Sequence, residues 1–184
     1  MKRIILVILL AAVCVSATAQ RSRTRREEVQ FLYNNAYVHQ KEYRPDEAMR
    51  CLRLLLKIDS TFIPAHNLMG WVYEDAYANY DSALICYQKT IDLDSHYVKG
   101  YVNLGHIHYL RREYFLATQY NTRAIHIDSN YADAYFNLGV ICNERNYLHD
   151  AYRFMRQAAD KGSRPAKEWL RRQEERQKQE GGDE

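Results

Sequence analysis

From about residue 29 onward, apolar residues recur every three or four positions, the spacing that lays one apolar stripe along an α-helix. The stretches "AHNLMGWVYEDAY", "GYVNLGHIHYL" and "DAYFNLGVICNE" each carry such a stripe, and each is followed, after a short break, by a second helical pattern. The pattern itself repeats. Gly70, Gly105 and Gly139 are spaced 35 and 34 apart, Ala83, Ala117 and Ala151 are spaced 34 and 34, and Asp59, Asp94 and Asp128 are spaced 35 and 34. A more diverged copy lies upstream, marked by Ala48 and the ending "LLLKIDS". Markers in step over successive copies define a repeat whose unit is a pair of helices.

Within each unit the small residues fall where two helices must approach closely. An aromatic, Tyr80, Tyr114 or Tyr147, stands ahead of the second helix, and Tyr87, Ala124, Met155 and Ala158 share a face with the alanines. The endings "IDLDS" and "IHIDS" close the second helix. Ser95 or His96, and Ser129 or Asn130, are the expected caps of the helix that follows.

The first residues break this pattern. Met1-Lys2-Arg3 is basic, Ile4 to Val15 is apolar throughout, and Ala17-Thr18-Ala19 has the small-x-small form that precedes signal cleavage. A secretory signal peptide over 1–19, cut before Gln20, is the expected reading. The apolar run is shorter than the ~20 residues a membrane span needs, which leaves an uncleaved anchor as the lesser alternative. A lipid on Cys14 is disfavoured by the bulk of Val13 before it. Residues 20–28 then read as a basic linker. Removing Lys2 and Arg3 lowers the net charge from +3 to +1. No concentrated basic face remains for phosphate neutralisation, and nucleic acid is not an expected partner. Cys51, Cys86 and Cys142 are odd in number and widely spaced, a pattern of small buried thiols rather than a disulfide framework.

The sequence resembles the tetratricopeptide repeat (TPR), a helix-turn-helix unit of 34 residues. The resemblance rests on Asn103-Leu104-Gly105, Asn137-Leu138-Gly139 and the variant Leu68-Met69-Gly70, on Tyr80, Tyr114 and Tyr147, on the three alanines and on the aspartate-serine endings. It covers roughly residues 29–162. It implies an all-α, right-handed superhelical α-solenoid of about four helix-turn-helix hairpins. Residues 163–184 would then supply a capping helix and a charged tail.

The departures concern detail. Serine replaces the family's usual proline at Ser60, Ser95 and Ser129, and His66, Tyr101 and Tyr135 replace its frequent tryptophan. The first copy lacks the glycine and carries Pro45, so its inter-helix turn is expected to be long. The second copy has one extra residue around 76–79. "AYRFMRQAADKGSRPAKEWL" is similar to the related Sel1-type repeat, with Pro165 early in a closing helix from 164 to about 178. Ala166, Trp169 and Leu170 would cover the apolar end of the stack, and Gly181 onward should fray.

No phosphate-cradling glycine loop, zinc-type Cys/His spacing or nucleophile motif occurs, so neither a catalytic site, nor a cofactor, nor a metal site is expected. His106 and His108 look like a pair in the text. At ~100° per residue they point to nearly opposite sides of a helix and cannot share a metal. His108 falls in a packing slot, where a buried ring with one hydrogen-bonded nitrogen is expected. His106 falls on the other side, in register with Trp71 and Val140.

By the resemblance, the first helices of the hairpins expose a concave inner wall. It would comprise Asn67, Trp71, Glu74 and Asp75, then Lys99, Val102, His106, Tyr109 and Leu110, then Asp133, Phe136, Val140, Asn143 and Glu144. Large aromatics beside aliphatic residues suit a peptide or a partner helix. Lys99 is the main basic residue there, which disfavours a clamp for a C-terminal carboxylate. The expectation is a non-catalytic protein-interaction scaffold of the bacterial envelope, periplasmic or secreted. The alternatives are a structural subunit or homo-oligomer docking through its end helices, and a glycan-binding module.

Overall fold

A computed structural model describes residues 2–180, with side chains for 22–179. Met1, the side chains of the expected signal peptide and the expected fraying of 181–184 lie outside the described residues. Among the described residues there are only helices: α1 (Lys2–Lys41), α2 (Pro45–Ile58), α3 (Ile63–Asp75), α4 (Tyr80–Leu93), α5 (Val98–Leu110), α6 (Tyr114–Ile127), α7 (Ala132–Glu144), α8 (Leu148–Asp160) and α9 (Arg164–Glu180). The all-α class, consecutive helix pairs and a closing helix follow the repeat pattern. Residues 20–28, read as a linker, are part of α1, and the Arg25 guanidinium donates to the Ile58 carbonyl. The chain forms two compact units, one ending at Ala78 and one beginning at Asn79.

In the first unit α1 lies along α2, and both meet α3. Ala48, Met49, Leu52 and Leu55 form one stripe of α2 and close a core with Val29, Ala36, Ala65, Leu68 and Val72. Ala36 stands 34 residues before Gly70 and is fully buried. The first copy therefore has a small residue at the glycine position after all. In the second unit α5 pairs with α6 and α7 with α8, α4 packs on α5, and α9 packs on α8. Close approach explains the glycines here. A Cβ on Gly105 would fall 2.3 Å from Asn121 Nδ2, and one on Gly139 would fall 3.0 Å from Met155.

The turns inside the helix pairs are set by backbone geometry. Glu113 N–H donates to His108 O (2.9 Å) and Tyr147 N–H to Cys142 O (2.8 Å), with Arg112 and Asn146 left-handed at φ 63° and 59°. This is the Schellman closure, which satisfies the last carbonyls of a helix. The first copy uses the same device. Arg44 N–H donates to His39 O (2.9 Å), and Tyr43 has φ 56°. Its turn is Glu42–Arg44, as short as 111–113 and 145–147, which corrects the longer turn expected there. Pro45 is the first residue of α2, where a missing N–H costs nothing. The extra residue at 76–79 does lengthen that turn.

A second correction concerns Tyr147, grouped by sequence with Tyr80 and Tyr114 as the aromatic three residues ahead of the alanine. It is four ahead of Ala151, the residue before α8, half exposed under the Arg145 guanidinium, and Leu148 occupies the position held by Tyr80 and Tyr114.

The turns between pairs differ from the expected serine caps. Phe62, Tyr97 and Tyr131 precede α3, α5 and α7 without a side-chain cap bond. The aspartates order these turns instead: Asp59, Asp94 and Asp128 accept from the N–H of Thr61, His96 and Asn130 at 3.0, 2.9 and 2.9 Å. The serine positions contribute their carbonyls. Ser60 O lies 2.9 Å from His66 Nε2, and Ser95 O and Ser129 O accept from the hydroxyls of Tyr101 and Tyr135 at 3.1 Å. A ring that reaches back six residues thus recurs in three copies, which is why His and Tyr serve at this position.

At the C-terminal end Gly162 (φ 97°) makes the turn, and Ser163 Oγ lies 3.4 Å from Ala166 N. Ala166, Trp169 and Leu170 cover Met155 and Ala158, as expected of a closing helix.

Candidate binding walls

In the second unit α5 and α7 lie side by side, and a cavity of about 280 Å3 opens between them. His106 and Tyr109 line one side, and Phe136, Asn137 and Val140 the other. Helical spacing puts His106 and Tyr109 on one face, and their rings stack at 6.2 Å and 28°. Tyr114, opening α6, lies 6.2 Å from Tyr109 with the ring planes at 50°. Phe136 and Val140 rest on the cluster of Met155, Ala158 and Ala166, so the apolar floor is packed from behind. Asn137 is anchored too. Its Nδ2 donates to Asn121 Oδ1 (3.1 Å), and Asn121 Nδ2 donates to Ala117 O (2.8 Å). Burial, then the Glu144 carboxylate, pushes the Tyr109 phenol above its ordinary range and keeps it a hydrogen-bond donor.

His108 points away from this cavity, as helix geometry requires. Its ring stacks on Tyr120 of α6 at 5.2 Å and 5°, and its Nδ1 meets Glu113 Oε2 at 2.5 Å. With its side chain only 12% exposed, it is a packing residue with a bonded nitrogen. Among the described residues no group of three His, Cys, Asp or Glu is arranged to hold a metal ion.

The first unit has its own wall, between α1 and α3. Trp71 lies 6.5 Å from Tyr37 with the ring planes at 46°. Lys41 Nζ sits over both rings, 5.5 Å from the Tyr37 centroid and 5.2 Å from that of Trp71. Beside them Gln40 Nε2 donates to Asp75 Oδ2 (3.0 Å). The wall expected from sequence contained Trp71 and Asp75 but neither Tyr37 nor Lys41. The signal was present: Tyr37 stands 34 residues before Trp71 and Lys41 34 before Asp75. The first copy's missing glycine hid that register.

Of the remaining expected wall residues, two are corrected. Asn67 is only 8% exposed and Val102 7%, so both belong to the interior. Val102 packs with Ala124 of α6 and Ala134 of α7, at a three-helix junction below the wall. Lys99, Asp133 and Glu144 are exposed, Leu110 is 39% exposed, and Glu74 and Asn143 are half-buried outside the cavity lining. Of the three thiols expected to be buried, Cys86 is buried, whereas Cys51 and Cys142 are half-buried. Cys51, Cys86 and Cys142 are unpaired, and burial pushes Cys86 up to about 11. No described helix is long and apolar enough to cross a membrane.

No family model matches the sequence, and no curated protein matches it. Solved structures share the fold. MamA is 21% identical over 76% of this chain and 81% of its own, with a TM-score of 0.63. The pilF protein of Pseudomonas aeruginosa is 20% identical over 76% of this chain and 63% of its own, with a TM-score of 0.69. The first TPR of Spaghetti (RPAP3), bound to the HSP90 peptide SRMEEVD, is 17% identical over 65% of this chain and 94% of its own, at 0.59. The chain shares with these structures a solenoid fold of consecutive helix hairpins.

Proposed function

We propose that this chain is a non-catalytic interaction scaffold that binds an extended peptide or a partner helix on its first-helix walls. The cavity between α5 and α7 carries the reading. It offers an aromatic and aliphatic floor, a fixed amide at Asn137 and a protonated phenol at Tyr109, the mixture that seats one anchor side chain and orients its backbone. The peptide-bound TPR of Spaghetti is consistent with such use of this fold.

A photoreactive phenylalanine analogue in place of Phe136, introduced in the native host, tests it. Crosslinking to a defined partner from position 136, and none from the exposed Arg123 on α6, is the expected outcome. Capture from Arg123 instead would move the interface to the second-helix face, and capture from the outer face of α9 would move it to the end helix. That second arrangement is less favoured because Trp169, Leu170 and Ala166 are turned inward onto the core.

The setting we infer is the bacterial envelope or the medium, on the strength of the basic start, apolar run and Ala17-Thr18-Ala19. The exported protein should begin at Gln20, in the interior of α1, which N-terminal sequencing would read directly. An N-terminus at Met1 in an envelope fraction would refute cleavage and leave the uncleaved anchor, and one in the cytoplasmic fraction would refute the export reading.

A further inference from the structure

We propose that Tyr37 and Trp71 form a receptor for a basic side chain of the partner, arginine above all, and that Lys41 fills it in the free protein. This rests on the reading of the first-helix faces as binding walls. The two rings are neither stacked nor parallel. At 6.5 Å and 46° they form an open V, and an ammonium already sits over both, 5.5 and 5.2 Å from the centroids. Those distances are within the ~6 Å over which an aromatic face attracts a cation. Lys41 is exposed and Tyr37 is 44% exposed, so the occupant is free to leave and another free to enter.

Two further features select the sign of the ligand. Aromatic faces are electron-rich and disfavour a carboxylate. Asp75, exposed and bonded by the buried Gln40, stands one helical turn after Trp71 on the same face of α3 and gives that face a negative charge. A guanidinium has five donors, no acceptor and a flat face suited to stacking, so it outcompetes an ammonium at such a place.

Lys41 decides between this reading and its opposite. As a placeholder it competes with the ligand, whereas as a ligand-binding residue it would attract an acidic peptide. Trp71 fluorescence reports on the site in a Trp169→Phe background, since the chain has 2 tryptophans. The probes are acetyl-Leu-Arg-Leu-Arg-Leu amide and its glutamate counterpart, titrated at low salt. The arginine peptide should bind saturably and the glutamate peptide should not. Lys41→Met, an exposed substitution that leaves the fold intact, should tighten the arginine peptide by about two- to fivefold, the self-competition that one exposed cation–aromatic contact exerts. Tyr37→Ala should weaken it by about tenfold as the V loses one wall. Preference for the glutamate peptide, with weakening by Lys41→Met, would overturn the inference and leave the binding walls in place. If neither peptide binds, the inference also fails, and crosslinking from Phe136 separately decides the broader reading.

Discussion

Asn121 lies in the middle of α6 with its side chain fully buried, a costly place for an amide unless its polar atoms are matched. They are: Nδ2 donates to Ala117 O and Oδ1 accepts from Asn137. The side chain also fills the space over Gly105, as Met155 does over Gly139 one repeat later. Asn121→Ala should therefore cost about 2–3 kcal/mol, because it opens a cavity and strips Asn137 of its acceptor. Asn121→Met, copying the next repeat, restores the volume and should cost less than half as much. Urea midpoints at unchanged m-value would check both. A second residue gives the opposite sign. Tyr43 is left-handed at φ 56° and 87% exposed, so Tyr43→Gly removes backbone strain and little packing. A gain of about 1 kcal/mol is expected in the same assay. The glycines that demand close packing were legible in the sequence. Their partners were not, because a helical asparagine ordinarily reads as a surface residue and only the structure shows what lies above Gly105.

Between elements, the legible feature was the recurring aspartate-serine ending, and the misread feature was which of the two residues acts. Serine caps helices as readily as aspartate and stands one residue nearer the following helix, so sequence reasoning favours it. In these turns the chain leaves each second helix in extended conformation at Asp59, Asp94 and Asp128, with φ −138°, −144° and −134°. That geometry brings the aspartate side chain onto the N–H two residues on, a bond that Asp and Asn make more readily than Ser. Asp94→Ala should cost about 1 kcal/mol, whereas Ser95→Ala should cost no more than a few tenths, since its hydroxyl makes only a long, exposed contact with His96 Nδ1 (3.4 Å) and the carbonyl that Tyr101 uses is kept. Equal losses from the two substitutions would contradict this division of labour. The short first turn was misread for a related reason. The first copy lacks the crossing glycine and carries Pro45, which suggests a longer loop, yet Ala36 takes the crossing position, Pro45 opens α2, and the Schellman bonds at Tyr43 and Arg44 close the turn with a left-handed tyrosine.

For the whole molecule, the repeat register located the walls but not the depth of each side chain. His106, Tyr109, Phe136 and Val140 line the cavity as the register implied, while Asn67 and Val102 lie at the edge of the stripe, where neighbouring helices cover them. Depth depends on what packs alongside, and a single helix's period does not contain that. Depth also governs how the fold responds to pH. Burial is the largest cause of raised values at Cys86, Cys142, Tyr33, Tyr109 and Tyr131. Each of these groups is neutral when protonated, so the folded state keeps a proton that the unfolded chain releases sooner. Stability should thus be full below the unfolded values and fall as pH rises through the folded ones. Cys86 gives the clearest window, from its ordinary 9.0 to about 11. At ~1.4 kcal/mol per pKa unit, its share of the loss is about 2–3 kcal/mol across that interval. Urea unfolding followed from about pH 8 to about pH 11 should show this fall, and Cys86→Ala should flatten the slope even though the cavity it leaves lowers stability at every pH. An unchanged slope in the variant would mean that the thiol is hydrated in solution, and with it the face of α4 that holds Cys86.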